Sequence, residues 1–335
     1  YNSEYGANLS PHGHIRLLVV FVEIDYSGED KFPPVENSQW KAGQYPEWAY
    51  DLFEVSPGSN PDALVSRYFR ESSLGNFLVS GDILIDPKNP NRPFQFESGG
   101  RITPAAIMQD AWEKGFTTLN ALPADSFDLW TKGKTGKLKE LKSTASPLSF
   151  DHIMFIVRNS TYPGNGSGYA SPGNIGNGEI SSDSYSVFAT RNSNPLNILL
   201  HEFNHLLIGG NNKHCCGGNH IGSGPQMFLS FQGGWGMMSS ANKSLGTCNA
   251  YDRFKLGWKL PENKYLISAR DTLGAERVSD FSPQDSVFDE MLVLRDFLST
   301  GDAIRIKLPY IPEDEFPQYL WIENHKTTSM NGSPF

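Results

Sequence analysis

The amino-acid sequence predicts an α+β fold, because two different patterns follow each other along its 335 residues. Up to about residue 207, apolar runs of strand length alternate with segments whose apolar residues recur at helical spacing. After Trp258 the pattern changes to short alternating strands. We therefore expect a first domain at 1–260 and a β-rich C-terminal region at 261–335, and the abrupt end at Phe335 adds the expectation that this region is truncated.

The predicted strands are short and mostly apolar, as expected for strands buried in a sheet. In the first domain they are 15–25, 77–85, 153–157 and 185–190. In the C-terminal region they are 291–294, 303–308 and 319–323. The segment 158–184 is rich in Gly, Asn, Ser and Pro, and it predicts a long irregular loop.

Three helices are predicted in the first domain, and each has a start signal in the sequence. They cover 61–71, 104–114 and 195–207. Residues that favour the N-cap position precede them, namely Asn60, Thr103 and Asn194. A proline occupies the first position of each helix. Glycine follows the second helix at Gly115 and the third at Gly209, where it favours a helix end.

Composition and charge exclude several classes of partner. The chain has 28 Lys and Arg against 37 Asp and Glu, a net charge of −9, and it contains no basic run. This balance argues against nucleic acid or an anionic membrane as the main partner. The longest apolar run, 17–22, is far shorter than the ~20 residues of a membrane helix, so no membrane-spanning segment is expected. Few lysines and many Asn, Ser, Gly and aromatic residues favour a secreted or cell-surface protein.

The third predicted helix carries the pattern H-E-x-x-H, formed by His201, Glu202 and His205. Residues four positions apart share one face of a helix, so the two imidazoles can bind one metal ion together. The adjacent Glu202 can then act as general base toward a water molecule. The pattern therefore predicts a zinc site with His201 and His205 as ligands and Glu202 as catalytic residue.

The third zinc ligand is expected shortly after this helix, because catalytic zinc usually takes three protein ligands and a water. The stretch from 206 to 251 contains no Asp and no Glu, but it contains His214 and His220. We prefer His214, which follows a two-glycine turn at a short distance, and His220 remains the alternative. A thiolate from Cys215 or Cys216 is the weaker choice, because thiolates are more typical of structural zinc.

The other histidines and the loop at 158–184 are expected to have structural roles. The other histidines considered are isolated in the sequence, and we expect structural roles for His12, His14, His152 and His325. The loop at 158–184 contains oxygen-bearing side chains that could bind calcium, including Asn159, Asn165, Glu179 and Asp183. We prefer the interpretation that it is a solvated, irregular loop.

The motif and its surroundings resemble the metzincin zinc peptidases, whose pattern is H-E-x-x-H-x-x-G-x-x-H followed by a methionine-containing turn beneath the metal. Within that group the chain is most similar to the immune inhibitor A type of secreted bacterial peptidase. Four stretches carry the similarity in the same order: SRYFRESSLGNF at 66–77, WGMM at 235–238, YDRFKLGW at 251–258 and YLWIENH at 319–325, where His325 replaces the usual Arg.

The resemblance implies a twisted mixed sheet with a central H-E-x-x-H helix, a zinc cofactor and a Met turn. Met238, or alternatively Met237, would be the methionine of that turn. The spacing departs from the family pattern, since Gly209 follows His205 by four residues instead of three and His214 follows it by nine instead of six. The turn after the helix therefore carries an insertion.

The three cysteines lie near this proposed site in the sequence. A disulfide between Cys248 and either Cys215 or Cys216 would fix the inserted turn near the metal, and export of the protein would permit it. The alternative is three buried thiols.

The sequence thus predicts a secreted zinc endopeptidase that acts on a protein or peptide substrate, and it leaves the oligomeric state open. The strand at 185–190 is a candidate edge on which an extended peptide could pair. Two alternatives remain: a catalytically silent metzincin-like module that binds protein or glycan, and a zinc peptidase directed at glycoproteins.

Overall fold

The computed structural model describes residues 5–25, 40–97, 102–132, 137–144, 148–158, 168–173, 175, 180–189, 195–209, 236–238, 248–283, 285, 291–309 and 318–326. The helices of this part are α1 Leu64–Ser72, α2 Pro104–Glu113, α3 Pro195–Leu207, α4 Ala250–Leu256 and α5 Phe297–Thr300, with 3-10 turns at Glu47–Asp51 and Ala124–Phe127. The strands are β1 Gly13–Asp25, β2 Phe77–Ile85, β3 Phe94–Glu97, β4 Thr117–Thr118, β5 Ser149–Phe150, β6 Ile153–Arg158, β7 Gly168–Ser171, β8 Ser181–Ser182, β9 Tyr185–Ala189, β10 Ser268–Arg270, β11 Glu276–Val278, β12 Asp280–Phe281, β13 Ala303–Lys307 and β14 Tyr319–Glu323.

A mixed seven-stranded sheet forms the centre of the described fold. Its order is β4–β2–β1–β6–β9–β7, and β3 pairs with the last residues of β1. The strands β2, β1, β6 and β9 run parallel to one another, whereas β4 and β7 are antiparallel additions at the two ends. The protein is therefore of mixed α/β type with few helices, which is compatible with the predicted α+β class.

The central strand β1 is buried on both faces, which explains its unbroken apolar run. Because side chains alternate across a strand, Leu17, Val19 and Phe21 enter one core and Leu18, Val20 and Val22 enter the other. The first core also holds α1, α3 and α4, and the second holds α2. The helix α3 thus lies on one face of the sheet, opposite α2.

A second, smaller sheet follows α4 and contacts it. Strand β12 pairs parallel with β13, and β13 pairs antiparallel with β14. Glu323 at the end of β14 accepts a hydrogen bond of 2.5 Å from the backbone N–H of Ala250 at the start of α4. The Arg305 guanidinium of β13 lies 4.3 Å from the ring centre of Phe254 on the same helix. The C-terminal strands therefore fix the position of α4.

Most predicted elements of the first domain are confirmed with small shifts at their ends. The strands at 15–25, 77–85, 153–157 and 185–190 correspond to β1, β2, β6 and β9. Thr103 caps α2 as predicted, since its hydroxyl accepts a hydrogen bond from the backbone N–H of Ala106 at 3.2 Å. In the C-terminal region, the strands at 303–308 and 319–323 correspond to β13 and β14.

The predicted start of the first helix is wrong. Helix α1 begins at Leu64 instead of Pro61, and its N-cap residue is Ala63, which offers no capping side chain. The Asn60 side chain accepts from the backbone N–H of Asp62 at 3.3 Å, and its carbonyl accepts from Ala63 at 3.1 Å. Asn60 therefore forms a local turn before the helix, which is the common competing use of this side chain.

Three other predictions need correction. The segment 158–184 contains the strands β7 and β8, so its described part is not wholly irregular. The predicted strand at 291–294 is reduced to an isolated bridge between Val293 and Arg270. Strand β9 is not an edge, because β6 pairs with one side of it and β7 with the other. Short polar strands such as β7 lack the apolar alternation that sequence patterns detect.

The described helices include none that is both long and apolar enough to cross a lipid bilayer.

Candidate metal and catalytic site

Helix α3 brings His201, Glu202 and His205 together as the sequence predicts. The ring centres of His201 and His205 lie 4.9 Å apart, and the ring planes are perpendicular. All three side chains are buried, with exposed fractions of 4%, 7% and 5%. Two imidazoles one helical turn apart and beside a carboxyl group form a donor set that suits zinc.

The apolar residues of α3 fix how the helix is rotated about its axis. Phe203 is fully buried, and its ring lies 5.2 Å from the ring of Phe69 on α1 and 6.4 Å from that of Phe77 on β2. The ring centre of His152 also lies 5.1 Å from that of Phe203, in an edge-to-face arrangement. Because Phe203 is held by both the sheet and α1, the neighbouring residues Glu202 and Asn204 take fixed directions.

Helix α3 ends as the glycine signal predicts. Gly209 adopts a φ of +90°, a value that favours glycine, and its backbone N–H donates to the carbonyl of His205 at 3.0 Å. Helix α3 therefore ends at Leu207, two residues after the second histidine.

Strand β7, the last strand of the sheet among the described residues, lies against Glu202. A methyl group placed on Gly168 would approach Glu202 Cγ to 2.6 Å and the carbonyl oxygen of Val187 to 2.8 Å. The bare backbone of Gly168 therefore provides the space that the Glu202 side chain occupies. Burial raises the pKa of the Glu202 carboxyl to about 8. A nearby divalent cation would act in the opposite direction, because it stabilises the carboxylate.

The proposed Met turn lies in the core beneath α3. Met237 and Met238 are both fully buried. The Asn204 side-chain amide donates to the carbonyl oxygen of Met237 at 2.8 Å, and the Met237 backbone N–H donates to Asp252 Oδ2 at 2.8 Å. The methionine segment is therefore bonded to α3 on one side and to α4 on the other.

Asp252 combines this contact with a role in its own helix. Its Oδ2 also accepts from the backbone N–H of Asn249 at 3.3 Å, and Asn249 Oδ1 accepts from the backbone N–H of Asp252 at 2.9 Å. Together these bonds form a capping box at the start of α4. Burial raises the pKa of the Asp252 carboxyl to about 7, and the N–H donors of Met237 and Asn249 oppose this rise.

The third ligand and the cysteine pair lie outside the described residues. These are the preferred ligand His214, its alternative His220, and Cys215 and Cys216. Within the described part of the chain, no group of three or more His, Cys, Asp or Glu side chains is arranged to hold a metal ion. The two imidazoles of α3 are compatible with zinc, and the assignment of a third ligand stays a prediction.

Cys248 is buried beside the end of α1. Its sulfur lies 3.2 Å from the carbonyl oxygen of Ser72, in the geometry of a thiol donor. Its predicted disulfide partners fall outside the described residues, so the disulfide also stays a prediction.

The structural interpretation of the other histidines agrees with their positions. His14 Nε2 lies 2.7 Å from the hydroxyl of Ser80, and His325 Nε2 lies 3.0 Å from Glu323. His152 is fully buried between the hydroxyls of Ser184 and Ser186, each 2.9 Å from one ring nitrogen. The two hydroxyls occupy both ring nitrogens of His152, and the contacts of His14 and His325 each occupy Nε2.

Sequence reasoning missed Gly168, Asn204 and Asp252 as components of this site. Asn204 stands inside the pentad, where its buried position on the helix was a usable signal. Gly168 and Asp252 reach the site only through tertiary packing, so no local pattern identifies them.

No protein-family model matches the chain, and no curated protein matches it either.

Proposed function

We propose that this chain is a secreted zinc-dependent endopeptidase of the metzincin type, similar to the immune inhibitor A peptidases. One observation carries the proposal: His201, Glu202 and His205 lie together on a buried helix, and Glu202 rests against the edge strand of the sheet. A buried helix needs no carboxyl group beside a histidine pair for packing, and glutamate is among the residue types that are least often buried.

The proposed site divides the chemistry among named residues. His201, His205 and a third ligand, for which His214 is preferred to His220, would hold zinc. Zinc bound there supplies Lewis acidity, which favours deprotonation of water and polarises a carbonyl group. Glu202 accepts the proton of the attacking water on a carboxylate oxygen and delivers it to the leaving amine nitrogen. Its burial keeps competing water away from this proton transfer.

The position of β7 supports a peptide as substrate. Among the described strands, β7 pairs with β9 and stands last in the order of the sheet, a position at which an extended chain could add as a further strand. Gly168 in β7 contacts Glu202, so a peptide paired there would pass the proposed general base. This arrangement replaces the sequence-based proposal that 185–190 provides the edge.

The test combines zinc analysis with cleavage of an unfolded protein. The full chain is expected to contain one zinc ion and to cleave casein, whereas His201→Ala is expected to lose both properties. His152→Gln is the matched control, because it also changes a buried histidine but is expected to retain both.

The third ligand is tested by the same two measurements on His214→Ala and His220→Ala. Loss of zinc in His214→Ala alone supports the preferred ligand, and loss in His220→Ala alone supports the alternative. A wild-type chain that binds zinc but cleaves neither casein nor a glycoprotein would favour the silent binding module. Cleavage restricted to glycoproteins would favour the glycoprotein-directed peptidase.

A further inference from the structure

The backbone N–H and carbonyl groups of Met237 are each bonded to a buried side chain. The Asn204 amide nitrogen donates to its carbonyl oxygen, and Asp252 Oδ2 accepts from its N–H, both at 2.8 Å. Because a carbonyl oxygen can only accept, the amide of Asn204 must present its nitrogen to Met237. Asn204 and Asp252 are both fully buried. Neither bond faces competition from bulk water, so both restrict the position of Met237 strongly.

The two bonds join the helix of the proposed zinc ligands to a firmly anchored helix. Asn204 stands directly before His205 on α3, and Asp252 belongs to α4. The neighbouring Arg253 is buried, and its guanidinium donates to carbonyl oxygens at the end of α1 and in α5, namely those of Glu71, Ser72, Phe297 and Leu298. Helix α4 is therefore a fixed support for Met237, and through Met237 for α3.

From this geometry we infer that Asn204 and Asp252 are positioning residues for the zinc site. They clamp the Met237 peptide and thereby set the orientation of α3 and of the His205 imidazole. This role deepens the proposed function and rests on it. Partners that orient metal ligands from outside the coordination shell typically change metal affinity by about 10–100-fold when they are removed.

The test compares the zinc affinity of variants that lose a hydrogen bond to Met237 with that of a variant that loses only the N-terminal cap of α4. Asn204→Leu and Asp252→Leu each remove one bond to Met237, and each is expected to weaken zinc binding about 10–100-fold in competition with a chelator. Asp252→Asn keeps an oxygen atom that can accept from the Met237 N–H, so it is expected to retain the wild-type affinity for zinc. Asn249→Ala removes the cap of the same helix without removing a bond to Met237, so its zinc affinity should equal that of the wild type.

Two further measurements separate positioning from general destabilisation. Thermal unfolding of the metal-free variants identifies those that fold, and Asn204→Ala replaces Asn204→Leu where the larger side chain prevents folding. Cobalt substituted for zinc reports ligand geometry through its visible absorption spectrum. That spectrum should change in the Asn204 and Asp252→Leu variants and remain unchanged in Asn249→Ala and Asp252→Asn.

The outcomes distinguish the clamp from the proposed function. Wild-type zinc affinity and an unchanged cobalt spectrum in Asn204→Leu and Asp252→Leu would overturn the clamp while leaving the zinc site intact. Equal losses of affinity in Asn249→Ala and Asp252→Leu would also overturn it, because they would reflect helix stability alone. A wild-type chain that binds neither zinc nor cobalt would refute the proposed function, and the positioning role would fall with it.

Discussion

Substitution of Gly168 by alanine tests whether the general base is placed by the edge strand. The added methyl group would lie 2.6 Å from Glu202 Cγ and 2.8 Å from the carbonyl oxygen of Val187. Two carbon atoms in contact prefer a separation of about 3.5–4.0 Å, so the Glu202 side chain must move by roughly 1 Å. The carbonyl of Val187 is backbone within the sheet and yields less easily than a side chain.

The expected effect of Gly168→Ala falls on the chemical step. A misplacement of about 1 Å in an active site can lower the rate about 100-fold. We therefore expect kcat for peptide cleavage to fall by about that factor, while zinc content stays at the wild-type level because the histidines are not displaced. The assay is steady-state cleavage of a fluorogenic peptide, with zinc measured on the same sample.

Gly81→Ala is the matched control for this substitution. Its added methyl group would lie 2.8 Å from Phe53 Cγ, so it crowds the core to a similar degree. Gly81 belongs to β2, which β1, β6 and β9 separate from β7 in the sheet. We expect Gly81→Ala to lower the melting temperature without changing kcat of the folded enzyme. Wild-type kcat in Gly168→Ala would refute the proposed contact between the edge strand and Glu202.

Three further predictions concern stability and metal dependence. Burial lowers the pKa of His152 from 6.5 to about 3, so its contribution to stability is complete above pH 6.5 and is lost as the pH falls toward 3. At pH 5 the free energy of unfolding is expected to be about 2 kcal/mol lower for this reason. Urea unfolding at pH 5 and at pH 7.5 should show a smaller difference in that free energy for His152→Gln than for the wild type. An equal difference in both proteins contradicts the assignment. Arg253→Met removes the four hydrogen bonds that the buried guanidinium donates to carbonyl oxygens, and it should cost about 3 kcal/mol or more in urea unfolding. A loss below ~1 kcal/mol would show that water replaces the guanidinium. Removal of metal by a chelator should abolish cleavage and lower the melting temperature, and added zinc should restore both; full activity in the chelated protein would exclude a zinc enzyme.

The sequence predicted the central sheet well because its strands are buried on both faces. The middle of β1, residues 17–22, is therefore apolar at every position, and this pattern is visible without any tertiary information. The edge strand β7 has no such requirement, since its residues are only partly buried. Its place in the sheet depends on pairing with β9, which a local pattern does not contain.

The start of a helix depended on whether a polar side chain caps the helix or forms a local turn, and the sequence alone does not resolve this choice. Asn60 and Pro61 are favourable start residues, yet the Asn60 side chain bonds to the backbone N–H of Asp62, and α1 begins later at Leu64. Thr103 offers the same kind of signal and does cap α2.

The candidate site was predictable where its geometry follows from one helix. The spacing of His201 and His205 guarantees a shared face once the helix forms, and α3 confirms that helix. The bonds of Asn204 and Asp252 to Met237 join segments that are distant in sequence. Such contacts follow from the tertiary placement of Met237 between residues of α3 and α4, which no local sequence pattern contains.

The most direct test of the central claim is the cleavage rate of Glu202→Gln at equal zinc content. The substitution keeps the size of the side chain and removes its capacity to accept a proton, so neither the fold nor the histidines should change. General acid–base catalysis contributes about 10²–10⁴-fold, and we expect kcat for casein or a fluorogenic peptide to fall by a factor in that range. A variant that contains one zinc ion and cleaves at the wild-type rate would contradict the proposed role of Glu202.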